Sequence, residues 1–204
     1  MTRDGRRDHN RYRQRLRPRP FANVVGFDDA PFPPGHRGDV PVVGAVYAAD
    51  RLDGVLVGKV RRDGANAARR LAEIVAGSRF AGHIRLVLLQ GVALAGFNVV
   101  DAHNLADRLE LPVLIVARRA PDLAAIERAL LRSVPGGAHK WSIIERLGPM
   151  ESLGPVFVQR VGLTLDEARR VVGRFALHGH IPEPLRVAHL IAGALGRGES
   201  RGRP

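Results

Sequence analysis

Residues Leu86 to Arg119 leave the chain few ways to fold. They read LVLLQGVALAGFNVVDAHNLADRLELPVLIVARR, two apolar runs bracketing one segment of helical periodicity. Leu86–Leu89 and Pro112–Ala117 have the length and continuous hydrophobicity of strands buried on both faces. Between them Val99, Val100, His103, Leu105, Ala106 and Leu109 recur at roughly helical spacing, so the stretch reads as a β-α-β unit. A right-handed crossover makes the two strands parallel, and the carboxyl ends of parallel strands gather at one edge, where ligands and catalytic groups sit. Gln90 follows the first strand at that edge; Arg118 and Arg119 follow the second.

The flanking sequence supplies the rest of a mixed sheet. Asn23–Phe27 reads as a short apolar strand ending at Asp28 and Asp29, followed by a proline- and glycine-rich loop. Val40–Ala49 and Val55–Val60 are two more strands, joined by ADRLDG with its Asp53-Gly54 turn signal. Three consecutive strands imply an antiparallel meander. Ala65–Ala76 follows as a helix stopped by Gly77. After the central unit come a helix over Asp122–Leu131, a loop at Gly136-Gly137, and short strands at Trp141–Ile144 and Val156–Gln159. A helix opens at Thr164, with Glu167 completing a capping box, and a last amphipathic helix spans Arg186–Leu195. A meander followed by parallel units is the element order of a ribonuclease H-like α/β fold.

Composition sets the limits on function. The 204 residues suffice for one core, expected over 21–196 between an arm at 1–20 and a tail at 197–204. No apolar run is long enough to cross a membrane and no secretory signal is visible, so a cytoplasmic protein is expected. With no cysteine, any metal must be held by oxygen or imidazole. The net charge is +12, and half of it falls in residues 1–20, where eight arginines, Arg13, Arg15, Arg17 and Arg19 among them, face only Asp4 and Asp8. Such a segment is expected to be disordered when free, and it is either a phosphate-contacting arm or a solubilising tail.

Asp28 at the end of the first strand, Asp63 at the end of the third and Gln90 at the end of the fourth are candidates to converge. Carboxylates on neighbouring strand ends hold Mg²⁺ against phosphate, and such an ion activates water and neutralises developing charge. Gln90 offers only a neutral carbonyl oxygen, so this site has one charge fewer and binds its metal weakly. The plain readings stand beside this one: Asp63 before Gly64 as a turn former, Gln90 as a strand terminator, Arg118 and Arg119 as solvated charges. His83, His103, His139, His178, His180 and His189 show no metal-ligand spacing and read as satisfied surface or core residues.

The runs GFDD at 26–29, LLQGVALAGFNVVD at 88–101, LPVLIVARR at 111–119 and IPEPLRVAHLIA at 181–192 occur in the order and spacing of endonuclease V. The chain resembles in particular that family's chiefly archaeal side branch. The resemblance implies a ribonuclease H-like fold and Mg²⁺-dependent cleavage of nucleic acid near deaminated adenine. It places the first metal-binding aspartate on Asp28, a glutamate position on Asp63 and the third acid on Gln90. A catalytic lysine falls on Arg118, and two histidines fall on Gly96 and Val161. Arginine keeps charge but cannot deprotonate, and no aromatic wedge stands in AADRLDG, although Tyr47 is near.

Three functions follow. The first is a Mg²⁺-dependent phosphodiesterase acting on DNA or RNA through Asp28, Asp63, Gln90 and Arg118, with Asp29 or Asp101 as a substitute acid. The second is a nucleic-acid-binding protein that has lost its chemistry, and the third a small-molecule or nucleotide-processing enzyme reusing the edge.

Overall fold

The computed structural model describes residues 21–200. Strands β1 (Asn23–Asp29), β2 (Asp39–Ala48) and β3 (Arg51–Arg61) form the expected meander. Helix α1 (Ala67–Ala76) leads to β4 (Leu86–Gln90), and a short hairpin of β5 (Ala93–Leu94) and β6 (Asn98–Val99) precedes α2 (Ala102–Leu109) and β7 (Val113–Ala117). Then follow α3 (Leu123–Ser133), α4 (Gly137–Leu147), β8 (Glu151–Leu153), β9 (Val156–Val161), α5 (Leu165–Phe175) and α6 (Glu183–Arg197). The seven-stranded sheet has the order β3-β2-β1-β4-β7-β9-β8, with β1, β4 and β7 parallel. This mixed sheet with flanking helices is a ribonuclease H-like fold.

Residue alternation along β1 sorts the two faces. Val25 and Phe27 point into a core closed by α1 and α2, through Leu71, Val75, Leu105 and Ala106. Val24 joins Leu86, Leu88, Leu114 and Val116 in a second core, closed by α5 and α6 through Val171, Phe175, Leu185 and Ala188. Gly26 and Asp28 share the parity of Val24 and therefore look toward α6. A Cβ at Gly26 would lie 2.5 Å from the Pro184 carbonyl carbon, so α6 crosses β1 at backbone contact and only glycine fits there.

Several boundaries differ from those the sequence suggests. Trp141–Ile144 is helical, inside α4: Lys140, Ile143 and Ile144 are its buried stripe, and Gly136 in the left-handed region opens the helix. The expected Gly136-Gly137 loop is thus a helix start, and Gly137 is required because a Cβ would strike the Leu130 carbonyl. The β2–β3 turn is at Ala49-Asp50, Ala49 taking a φ of 57°, while Asp53 and Gly54 lie within β3. Gly54 there leaves room for the Phe80 ring, so its glycine serves packing. Val99 belongs to β6, and α2 begins only after its N-cap Asp101, whose carboxylate accepts from Asn104 N–H. The Thr164–Glu167 capping box is formed as expected. The arginine-rich segment, with Arg13, Arg15, Arg17 and Arg19, lies outside the described residues. No helix among the described residues is long and apolar enough to cross a membrane.

Candidate active site

Strand pairing brings the carboxyl ends of β1, β3, β4 and β7 to one edge, with Asp28, Asp63, Gln90 and Arg118 on or just beyond them. Sharing an edge is not sharing a face. The in-register pairing of Phe27 with Leu89 makes Asp28 and Gln90 lateral neighbours, both with the parity of the α6 face. α6 lowers His189 onto the same spot: its Nδ1 lies 2.7 Å from Asp28 Oδ2, while Asp28 Oδ1 accepts the Asp29 backbone N–H at 3.0 Å. Burial pushes the Asp28 carboxyl above its ordinary range, and the bond and charge of His189 pull it back. Gln90 Oε1 is buried without a hydrogen-bond partner among the described residues, an expensive condition for an amide oxygen. It stands beside the Asp28 carboxylate.

Asp63 does not join them. Its backbone takes a φ of 51°, its Oδ1 accepts the Phe97 N–H at 2.8 Å and its Oδ2 accepts Arg62 Nε at 3.1 Å. The Asp63 N–H bonds the Ala95 carbonyl, and the ammonium of Lys140, itself only 2% exposed, donates to the Asp63 carbonyl. Leu94 and Ala95 belong to the α1–α2 core, so this carboxylate serves to tie the β5–β6 hairpin to the end of β3. Asp29 turns to that side too: the Ala95 N–H bonds it, yet burial, then the adjacent Asp28 charge, raise its pKa to about 6. Asp101, the other substitute acid, is engaged by Asn104 N–H and by Arg146 at 2.6 Å.

The departures from endonuclease V acquire physical causes here. Gly96 has a φ of +82°, and a Cβ there would sit 2.4 Å from Asp63 Oδ1, so no histidine fits while Asp63 holds its hairpin. Val161 pairs with Val113 at the amino end of β7, the opposite edge of the sheet, and packs into the α1–α2 core. The histidine that reaches the site is His189, which spacing rules pass over because its partner lies 161 residues away. Arg118 and Arg119 are exposed just past β7, beyond the level of Gln90. Among the described residues no group of three or more His, Asp or Glu side chains is placed to hold a metal ion.

The order of strands in this mixed sheet is that of an endonuclease V-like protein, a class set by fold and not by these site residues. The endonuclease dU family profile matches residues 20–196, and the chain belongs to that family. A UPF0215 protein of Deinococcus radiodurans is 55% identical over 183 residues, covering 90% of this chain and 93% of the relative. One from Methanothermobacter thermautotrophicus is 43% identical over 88% and 90%. The crystal structure of an Archaeoglobus fulgidus protein of unknown function superposes with a TM-score of 0.80 at 32% identity, covering 86% of this chain and 99% of that one. Ciona intestinalis endonuclease V, solved with an inosine-containing 24-mer DNA, has the same fold at a TM-score of 0.52 and 15% identity, covering 82% of each chain.

Proposed function

We propose that this chain is a metal-assisted phosphodiesterase of nucleic acid whose centre is Asp28, Gln90 and His189, with deoxyuridine in DNA as the first substrate to test. The observation that carries the reading is the unpaired Gln90 Oε1, buried next to an Asp28 carboxylate already oriented by His189. A buried amide oxygen to which no protein donor is directed is a position where a ligand gains a bond at no cost to the fold. The donor set fits a divalent ion held by Asp28 and Gln90 and completed by water and a substrate phosphate oxygen, as Mg²⁺ sites often are. With a single negative charge from the protein, affinity depends on the phosphate. A bound ion would supply charge neutralisation and acidify its water.

The remaining chemistry belongs to this chain's side chains. Hydrolysis adds water oxygen to phosphorus and breaks a phosphorus–oxygen ester bond; one proton leaves the water and one reaches the departing alkoxide. The Nδ1 bond to Asp28 sets the ring orientation of His189 and leaves Nε2 to carry a proton. Arg118 and Arg119, always charged, are suited to binding phosphate and unsuited to abstracting a proton. Deoxyuridine follows from the family's printed name and inosine from the endonuclease V likeness.

Oligonucleotides carrying one deoxyuridine, one deoxyinosine or no lesion, in DNA and RNA, are incubated with Mg²⁺ or Mn²⁺. The reading expects cleavage that Asp28→Ala abolishes. No cleavage of any substrate, or cleavage unchanged in Asp28→Ala, overturns it. Gln90 and Arg118 in place of an acid and a lysine favour a second reading, a binding protein without chemistry, whose mark is lesion-dependent binding with no product.

A further inference from the structure

A second feature of the same edge lies outside this centre. The loop after β1 and the end of β3 enclose a cavity of about 460 Å³ lined by Pro34, His36, Arg37, Gly38, Arg61 and Arg62, with Asp63 at its rim. We propose that this cavity is a preformed subsite for a backbone phosphate of the nucleic-acid strand, separate from the phosphate at the reacting bond. The inference rests on the nucleic-acid reading above and adds the place where the strand is gripped.

Arg62 builds the cavity and does not serve as its ligand. Its Nη1 donates to the carbonyls of Pro34 and His36, its Nε to Asp63, and its guanidinium lies 5.3 Å from the centre of the Phe32 ring. Its backbone N–H bonds the Gly38 carbonyl at 2.9 Å. A loop rich in proline and glycine is thereby pinned, which removes the ordering cost that weakens loop-built sites. Asp63 carries a charge of the wrong sign, but N–H donors already occupy both of its oxygens.

Arg61 and Arg37 are the ligands. Arg61 Nη1 has only a loose 3.9 Å contact with Asp39, its side chain is 61% exposed, and Arg37 has no ion-pair partner among the described residues. Gly38, at a φ of +129°, keeps the floor open: a Cβ there would stand 3.9 Å from both Arg61 Nη1 and His36 Nε2, so the two nitrogens lean over the same space. Arginine forks match phosphate oxygens bidentately. β3 is separated from β1 by one strand, and Arg61 lies four residues beyond Val57, which is level with Asp28 through Val43, so the subsite is roughly 17 Å from Asp28. That distance corresponds to about five nucleotides of strand at ~3.4 Å each.

The test uses full-length protein and a fluorescent single-stranded oligonucleotide, with affinity measured from 50 to 300 mM salt. Arg37→Ala/Arg61→Ala is expected to weaken binding roughly tenfold at low salt and to flatten the salt slope by about 0.7, one phosphate contact on a single strand. Arg169→Ala on α5, also an exposed arginine, leaves both unchanged. An unaltered slope in the double variant with an unaltered melting temperature overturns the proposal. So does a melting-temperature rise with inorganic phosphate at constant ionic strength that the double variant loses while oligonucleotide affinity stays the same, since the site then serves free anions. Cleavage dependent on Asp28 is scored in parallel on the same preparations; its presence or absence reports on the catalytic centre and leaves the subsite result independent.

Discussion

His189 Nδ1 lies 2.7 Å from Asp28 Oδ2, joining the end of the first strand to the middle of the last helix. The contact fixes the imidazole and offsets part of the burial that raises the Asp28 pKa. Replacing His189 by Ala removes both effects. Cleavage by His189→Ala is expected to fall by about 10²- to 10⁴-fold, the range for losing a general acid or base. In whatever activity is left, the acidic limb of the pH–rate profile shifts to higher pH as Asp28 loses the partner that lowers its pKa. A His189→Ala profile identical to wild type contradicts the assigned role.

Gln90 makes opposite predictions for stability and for metal. Its buried, unpartnered Oε1 costs the fold about 1–3 kcal/mol, so Gln90→Met, of similar volume, is expected to raise the unfolding free energy in denaturant while eliminating ion binding. Gln90→Asp supplies a second carboxylate beside Asp28 and tightens Mn²⁺ by calorimetry at least tenfold. A Met variant that is less stable, or an Asp variant with unchanged affinity, shows that the amide is already satisfied and has no part in the site.

Asp29, like Asp28, is pushed above the ordinary carboxylate range, chiefly by burial. The folded pKa of Asp29, about 6, lies above an unfolded value near 3.9, so the folded state holds the extra proton. Stability is therefore lost as pH rises from about 4 to about 6 and is level above that, by at most ~3 kcal/mol. Asn at this position keeps an acceptor for the Ala95 N–H without the charge. Asp29→Asn should melt at a higher temperature than wild type at pH 7.5 and at the same temperature at pH 4; the reverse pattern refutes the assignment.

Glu183 has the contrary sign. At 3% exposure, burial opposes its charge, yet three bonds from Arg186 and one with His178 leave its pKa below the ordinary value. Its contribution is complete above the unfolded pKa and disappears as pH falls through the lower folded value. In Glu183→Gln the midpoint of acid unfolding is expected to move up, and the difference from wild type to shrink as pH falls through the lowered folded value.

What the sequence disclosed was what local pattern encodes. Continuous apolar runs mark β4 and β7, and Thr164 with Glu167 marks the start of α5, because burial and capping are decided within a few residues. Trp141–Ile144 misleads because four residues cannot distinguish period 2 from 3.6; the stripe of Lys140, Ile143, Ile144 and Leu147 would have revealed the helix over a longer window. At the site, strand-end position is legible and face is not. Asp28 and Gln90 meet because β1 and β4 pair in a register that no single strand announces, and Asp63 departs because its residue bends into the left-handed region. His189 was invisible for the same reason: its partner is supplied by tertiary packing alone.

That packing hangs on Gly26. A methyl group at this position would sit 2.5 Å from the Pro184 carbonyl carbon and 2.8 Å from Leu185 N, both backbone atoms of α6 that cannot rotate away. Gly26→Ala must therefore lift the amino end of α6 from β1, at a cost of about 1–3 kcal/mol for overpacking. Because the same helix carries His189 two residues further along the strand's course, lifting it also lengthens the His189–Asp28 contact. Gly26→Ala is thus expected to lose activity beyond its loss of stability, with kcat reduced at temperatures well below its own melting point. Gly173→Ala, on α5 where nothing lies within 4 Å of the added carbon, serves as the comparison and should leave kcat untouched. Full activity in folded Gly26→Ala would show that the helix need not be held this close for the site to work.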